Sequence, residues 1–234
     1  MMKVQESAVP VSCWSCSVAR NESTLFCPHC SKIQPPPGGD YFSVFGFAPR
    51  LNLDLAALER EFHRLSRRLH PDRFVRAAEN EREWSLAGTA LLNDAYRTLK
   101  DPLRRTEYVL KLHGAQNGGQ FGEERSGKDG RSPSRAPADL LEEVFELNMQ
   151  LEEMRMERRS GEVDRELEEN LAAAKRKFEG LRDGVDGDLR AAWNDWDVGG
   201  AEARRIAQNT MMALLDRRRY LSNLVRDVSE TLGA

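Results

Sequence analysis

The strongest constraint on the fold is a series of apolar residues at helical spacing that a single proline interrupts. A first helix is predicted to begin after Asp54, a residue type that commonly caps helices. Its apolar face is formed by Leu55, Leu58, Phe62, Leu65 and Leu69. Pro71 ends this helix, because the residue before a proline is disfavoured in the α region. A second helix is predicted over residues 77–100, so the two should form a hairpin around residues 70–72.

Shorter helices are predicted on both sides of this hairpin. Residues 40–45 are apolar enough for a buried first turn or two. Asp101-Pro102 is typical of an N-cap followed by a first-turn proline, and Gly114 is typical of the residue that follows a helix. The apolar side of the second hairpin helix is predicted to consist of Leu86, Ala90, Leu91, Ala95, Tyr96 and Leu99.

The fold class predicted for the whole chain is all-α, with a helical hairpin, a C-terminal three-helix bundle and a small cysteine module in front. Three helical segments, at about 138–159, 163–196 and 200–232, predict the bundle, with Asp183-Gly184 as a candidate break. The stretch before them is rich in Gly, Ser and Arg and is expected to be a disordered insert. The predicted domain boundaries are 1–34, a Pro/Gly linker at 35–39, 40–114, the insert at 115–137 and 138–234.

Composition excludes several classes of protein. No run of about 18 apolar residues is present, so no membrane partner is expected. The formal net charge of -3 gives no reason to expect nucleic acid as a partner. No secretory signal or transit peptide is visible, so the bacterial cytoplasm is the expected compartment, and the mitochondrial matrix would require a presequence missing from this chain.

All four cysteines, Cys13, Cys16, Cys27 and Cys30, form two Cys-x-x-Cys pairs separated by a short loop. This spacing predicts a structural zinc site, because four thiolates suit a tetrahedral ion that can fold a segment too small to bury a core. Two disulfides are the alternative, which a reducing cytosol disfavours. A redox pair is the other, but the usual βαβ context is not visible. A saturated four-thiolate site leaves no open position for a substrate, so no catalytic role is expected.

His70, Pro71 and Asp72 lie at the break between an arginine-rich helix and a second helix. A lone histidine there would ordinarily be a loop residue, and arginines on a helix ordinarily form a solvated face. Pro71, however, stiffens the loop, and Asp72 is an acceptor that could meet an arginine of a partner. No nucleophile or partner acid lies nearby in the sequence. The context therefore favours docking over catalysis.

The tripeptide and its basic helix resemble the J-domain, which couples docking on a DnaK-type chaperone to ATP hydrolysis. Two cysteine knuckles resemble a metal-binding extension found in some members of the HscB family of iron-sulfur cluster co-chaperones. Other motifs that resemble this family are Asp40-Tyr41-Phe42-Ser43-Val44-Phe45-Gly46, His70-Pro71-Asp72-Arg73-Phe74, Leu92-Asn93-Asp94-Ala95-Tyr96-Arg97-Thr98-Leu99, and Pro102-Leu103 through Lys111-Leu112-His113-Gly114. The insert at 115–137 departs from the family pattern.

The resemblance implies a co-chaperone without catalytic residues of its own. It would bind an iron-sulfur scaffold protein at one end and stimulate the ATPase of a DnaK-type, HscA-like chaperone at the other. The chaperone-binding residues that it implies are His70, Pro71, Asp72, Arg60, Arg64, Arg67, Arg68 and Arg73. Contacts made by these arginines should weaken with salt.

The helix after residue 138 carries two apolar stripes. The stripe that suffices to face the bundle is Leu140, Val144, Leu147, Leu151 and Met154. Leu141, Phe145 and Met149 form the second stripe, which is either a wide internal face or an exposed surface for a partner. The family resemblance favours the second and implies scaffold-binding residues Leu141, Phe145, Glu146, Met149, Glu153 and Tyr220. Trp193 and Trp196 are expected in the core or at a helix end.

Other functions stay open at this point. A general J-protein that delivers unfolded clients would bind denatured polypeptides. A zinc-dependent nucleic-acid-binding protein would follow from the cysteines alone, but the net charge and the acidic second half oppose it. A homodimer formed through the cysteine module is a further option.

Overall fold

The computed structural model describes residues 11–21, 24–114, 137–161 and 164–233. The chain divides into two compact units, residues 1–119 and 120–234. All but the last residue of the predicted insert at 115–137 lies outside the described residues. In the described ranges no helix combines the length and the apolarity that crossing a membrane requires.

The first unit is built around the predicted hairpin. Its helices are α1 (Tyr41–Val44), α2 (Leu55–Leu69), a 3-10 helix (Pro71–Phe74), α3 (Glu79–Lys100) and α4 (Pro102–Gly114). Asp54 caps α2 as predicted, because its Oδ1 accepts a hydrogen bond from the amide of Ala57. Asp101 caps α4 in the same way through the amides of Leu103 and Arg104. Two short antiparallel strands, β1 (Val11–Ser12) and β2 (Ala19–Arg20), lie in the cysteine segment.

The buried face of α3 agrees only in part with the predicted one, since Ala95 and Leu99 are buried as predicted. Leu86 is 61% exposed and Ala90 is also exposed, whereas Ser85, Gly88 and Leu92 are buried. A Cβ atom at Gly88 would lie only 3.1 Å from Cδ2 of Leu69 in α2, so the two helices approach closely at this glycine. Hydrophobicity alone pointed to the wrong residues in the first half of α3, because close packing here requires small residues.

The second unit is a three-helix bundle, and the predicted all-α class is confirmed. Its helices are α5 (Leu141–Ser160), preceded by a 3-10 turn (Ala138–Leu140), α6 (Arg165–Val198) and α7 (Ala201–Leu232). The candidate break at Asp183-Gly184 is wrong, because α6 continues through it. One glycine costs a helix only about 1 kcal/mol, which burial of neighbours such as Val185 offsets.

Two contacts fix the direction of the helices in this bundle. Arg217 of α7 forms a bidentate ion pair with Asp139, just before α5. At the other end of α5, Arg158 donates to the carbonyl of Leu232. The helices α5 and α7 are therefore parallel, and α6 runs antiparallel to both. The residues buried as predicted are Leu140, Val144, Leu147, Leu151, Met154, Trp193 and Trp196.

Candidate functional sites

The four cysteine sulfur atoms converge on one point of the first unit. Their Sγ atoms all lie within 4.8 Å of one another, with 3.7 Å between Cys13 and Cys30 and between Cys16 and Cys27. These distances exclude disulfides, whose sulfur atoms are about 2.05 Å apart. A tetrahedral ion with metal–sulfur bonds of about 2.3 Å places its ligands about 3.8 Å apart. The four thiols therefore fit a metal ion.

Two matching turns present these sulfur atoms. The amide of Cys13 donates to the carbonyl of Val18, and the amide of Cys27 donates to that of Lys32, at the same spacing in both turns. Ser17 and Ser31, which follow the second cysteine of each pair, both have a φ angle of 59°. Non-glycine residues adopt this left-handed conformation only where the surrounding structure enforces it. The local backbone is thus shaped around the sulfur cluster.

The pKa values of the cysteine thiols differ, and the difference favours a bound cation. Burial raises the pKa of Cys13, but hydrogen bonds from the amides of Cys16 and Ser15 outweigh it and lower the pKa to about 6. At Cys16 the amide of Val18 lowers the pKa, but burial and the neighbouring thiols outweigh it and raise the pKa to about 12. A first thiolate therefore opposes the next one, and a divalent cation would remove that repulsion.

Two polar side chains tie the first cysteine turn to the segment after the second. Gln34 is buried, and its Nε2 lies 3.3 Å from Sγ of Cys13 and 3.0 Å from the carbonyls of Lys32 and Ile33. Trp14 donates from its indole nitrogen to the carbonyl of Ile33 at 2.6 Å. Neither residue was predicted from the sequence, since a lone glutamine or tryptophan carries no spacing signal.

The His70 loop is exposed but firmly anchored. Nδ1 of His70 accepts a hydrogen bond from the amide of Asp72 at 3.3 Å, and the two side chains are 58% and 86% exposed. Below the loop, the hydroxyl of Ser85 donates to the carbonyl of Leu69 at 2.5 Å, which ties the end of α2 to α3. An acceptor role for Nδ1 leaves Nε2 as the donor of the neutral ring. The loop therefore presents a fixed donor and an exposed carboxylate to solvent, with Oδ2 of Asp72 lying 3.5 Å from Nδ1 of His70.

The second stripe on α5 is exposed. Phe145 is 68% exposed, and Leu141 and Met149 are exposed to a similar degree. At about 100° per residue, this stripe lies about 140° around the helix from the buried one. The alternative that these residues form a wide internal face is therefore wrong. Glu146 and Glu153, also exposed, lie beside the stripe.

Comparison with known proteins identifies the family. No model of a protein family matches the chain. The chain is 33% identical over 161 residues to the mouse iron-sulfur cluster co-chaperone protein HscB, covering 67% of this chain and 64% of the mouse protein. The human protein of the same name is 32% identical over 169 residues, covering 70% of this chain and 65% of the human protein. The matches thus span somewhat less than two thirds of each mammalian relative.

The solved crystal structure of human co-chaperone protein HscB superposes with a TM-score of 0.58 at 26% identity, covering 94% of this chain and 98% of that chain. The chain belongs to the HscB family of co-chaperones. A co-chaperone protein HscB homolog from Vibrio cholerae is 46% identical over 77 residues, which is 33% of this chain and 45% of the relative. The family resemblance drawn from the motifs is thus confirmed.

The arginines of this HscB-family chain are not equivalent. Arg60 and Arg73 are exposed, and their side chains have no hydrogen-bond or ion-pair partner within the described ranges. Arg64 pairs with Glu61 at 2.7 Å, and Arg67 donates to its own helix. Arg68 differs from all of them, because its guanidinium carbon lies 3.9 Å from the ring centre of Phe26 in the cysteine segment.

Tyr220 of α7, the last residue of the predicted scaffold-binding set, is half-buried, and this burial raises the pKa of its phenol. It lies one helical turn beyond Arg217, whose ion pair with Asp139 holds α7 to the start of α5.

One residue of the exposed stripe on α5 was not predicted from the sequence. Met156, exposed and seven residues after Met149, extends the stripe by two turns. The i, i+7 spacing could have revealed it.

Proposed function

We propose that this chain is an iron-sulfur cluster co-chaperone that stimulates a DnaK-type, HscA-like chaperone and delivers a scaffold protein to it. The observation that carries the proposal is the exposed and anchored His70 loop in a chain of the HscB family. The fixed hydrogen bond between His70 and Asp72 keeps the loop ready for docking and lowers the entropy lost on binding. The chain would supply no catalytic group, since the chaperone itself hydrolyses ATP.

The chaperone contact is proposed to comprise His70, Pro71 and Asp72 together with the basic side chains Arg60, Arg64, Arg67 and Arg73. Asp72 would accept from an arginine of the chaperone, where charge-assisted bonds are strongest. The exposed arginines would attract an acidic chaperone surface and speed the encounter. This part of the interaction should therefore weaken as salt increases.

The scaffold contact is proposed to be the exposed stripe of α5 with its acidic border. Its members are Leu141, Phe145, Glu146, Met149, Glu153 and Tyr220. Exposed apolar side chains on successive turns of one helix are unusual on a protein without a partner, and they mark an interaction surface. The apolar residues would supply most of the affinity, and the acids would favour a scaffold with basic residues around its own apolar patch.

The resident metal is proposed to be zinc, held by Cys13, Cys16, Cys27 and Cys30. Zinc suits four thiolates in a tetrahedron and supplies a structural cross-link there, with no position open for substrate. Homodimerisation through this module and the bacterial cytoplasm as the compartment stay predictions.

A single-turnover ATPase assay of the cognate chaperone tests the proposal. Wild-type protein should raise the rate, scaffold should raise it further, and His70→Gln should abolish both effects. His63→Gln is the matched control, because His63 is an exposed histidine of α2 outside the loop. If His70→Gln stimulates as well as wild type, the proposed function is wrong.

The scaffold part of the proposal has a separate test. Binding of the folded scaffold is compared with binding of a reduced, denatured polypeptide by titration calorimetry. Selective binding of the scaffold supports the proposal. Preferential binding of the denatured chain would instead indicate a general J-protein.

A further inference from the structure

The cysteine segment packs against the part of α2 that leads into the His70 loop. Phe26 stacks on Arg68, and Cδ2 atoms of Leu25 and Leu69 meet over the same glycine, Gly88. Leu25 and Phe26 directly precede a metal ligand, and Arg68 and Leu69 directly precede His70. Leu25 and Phe26 of the cysteine segment therefore face Arg68 and Leu69 at the end of α2.

Further contacts continue this interface along α3. Lys32 forms an ion pair at 3.0 Å with Glu81, whose side chain is almost completely buried. Trp14 and Trp84 meet edge to face with their ring centres 5.7 Å apart. On the same helix, Ser85 lies between Glu81 and Gly88 and holds the carbonyl of Leu69. The cysteine module thus packs beside Ser85, the residue that holds the end of α2 below the His70 loop.

The order of the module should depend on its metal ion. In the described residues 11–21 and 24–34, the buried apolar side chains are Cys13, Leu25, Cys27 and Ile33. So small a core does not fold without a metal or a cross-link. Loss of the ion would therefore release Leu25 and Phe26 from α2 and α3.

We propose that the metal-loaded cysteine module clamps the His70 loop, with Arg68 as the positioning residue that links the two. Arg68 is then an internal anchor rather than a contact for the chaperone, because Phe26 covers one face of its guanidinium. Coupling between two sites is reciprocal, so a change at Arg68 must also weaken metal binding. Any effect of the clamp on ATPase stimulation rests on the proposed function. The coupling between the metal site and the His70 loop does not.

Metal affinity gives the first test on the full-length chain. Apparent affinities for Zn²⁺ and Co²⁺ are measured by competition with a chromophoric chelator for wild type, Arg68→Met and Arg67→Met. Arg68→Met should weaken both affinities roughly five-fold, as expected for loss of a partly buried cation–aromatic contact. Arg67→Met is the matched control, because it removes the neighbouring charge without touching the module. Equal affinities of the two variants would overturn the proposal.

Hydrogen exchange gives the second test. Removal of zinc by a chelator should speed exchange of the amides at 69–74 at least roughly ten-fold, and added zinc should restore protection. Amides of α6 serve as the internal control and should not change. Unchanged exchange at 69–74 would refute the clamp. If protection depends on zinc but neither form stimulates the chaperone, the clamp stands and the proposed function fails.

Discussion

The His70 loop and the exposed stripe of α5 are both offered to solvent, but they are held in different ways. The loop rests on buried polar and small residues: Ser85 holds the carbonyl before it, and Gly88 lets the two hairpin helices approach. The stripe stands on a regular helix whose opposite side is buried. Its exposed side chains are therefore set by helix geometry alone.

This difference has consequences for substitution. A change in the stripe should alter binding and leave folding intact, because the exposed side chains support nothing else. A change beneath the loop should alter the geometry of docking and the stability of the first unit together. The two proposed surfaces can therefore be separated by whether function and stability change together.

Phe145→Ala should have the largest effect on binding. Truncation of a central aromatic at an interface typically costs about 2–4 kcal/mol. The affinity for the folded scaffold, measured by titration calorimetry, should fall by about that amount, while the free energy of unfolding and the ATPase stimulation without scaffold stay at wild-type values.

Ile206→Ala is the matched control for Phe145→Ala. It removes an exposed apolar side chain of α7 that lies fourteen residues, about 21 Å along the helix, before Tyr220. Equal losses of scaffold affinity from the two variants would show that the stripe is not the binding site.

Gly88→Leu should break the support of the loop. The added side chain must displace Leu69 and Leu25, and overpacking of this kind costs about 1–3 kcal/mol. Hydrogen exchange of α2 and α3 amides would report this loss for the first unit alone, and ATPase stimulation should decrease with it. Gly180→Leu on α6 is the control, since a Cβ there meets nothing within 4 Å. If stimulation survives the loss of protection, the loop does not depend on its support.

Local rules were enough to predict much of this fold. Asp54 and Asp101 cap helices because a short carboxylate satisfies free amides wherever the chain runs next. Similarly, the stripe from Leu140 to Met154 is buried because five large apolar residues at helical spacing leave few alternatives. The cysteine spacing was informative for the same reason, since two residues between thiols form a compact turn around an ion.

The failures share a dependence on residues distant in sequence. Leu86 is more apolar than Gly88, yet Gly88 is buried, because the position is decided by Leu69 and Leu25 pressing on it. Arg68 was grouped with the other arginines as a predicted chaperone contact, and its contact with Phe26, which lies forty-two residues earlier, was not foreseen. No periodicity within α2 could have distinguished Arg68 from Arg67.

Raising the salt concentration should distinguish the proposed chaperone-binding and scaffold-binding surfaces, with a smaller effect than the substitutions above. Increasing salt from about 0.05 to about 0.5 M shortens the Debye length severalfold and should reduce the apparent affinity for the chaperone roughly five-fold. Scaffold affinity should change less than about two-fold, because apolar contacts are not screened. The measurement is the half-saturating protein concentration in the ATPase assay, set beside calorimetric titration of the scaffold. Equal salt dependence would contradict the assignment of arginines to one surface and apolar residues to the other.

Met156→Ala should have the smallest effect and defines where the stripe ends. Met156 lies two turns beyond Met149 on the same side of α5 and is equally exposed. If the scaffold covers the whole stripe, the variant should lose up to about 1 kcal/mol of scaffold affinity, the usual size of an effect at the border of an interface. Met149→Ala, nearer the centre, is the comparison and should lose more. A larger loss for Met156→Ala than for Met149→Ala would move the centre of the contact toward the C-terminal end of α5 and away from Tyr220.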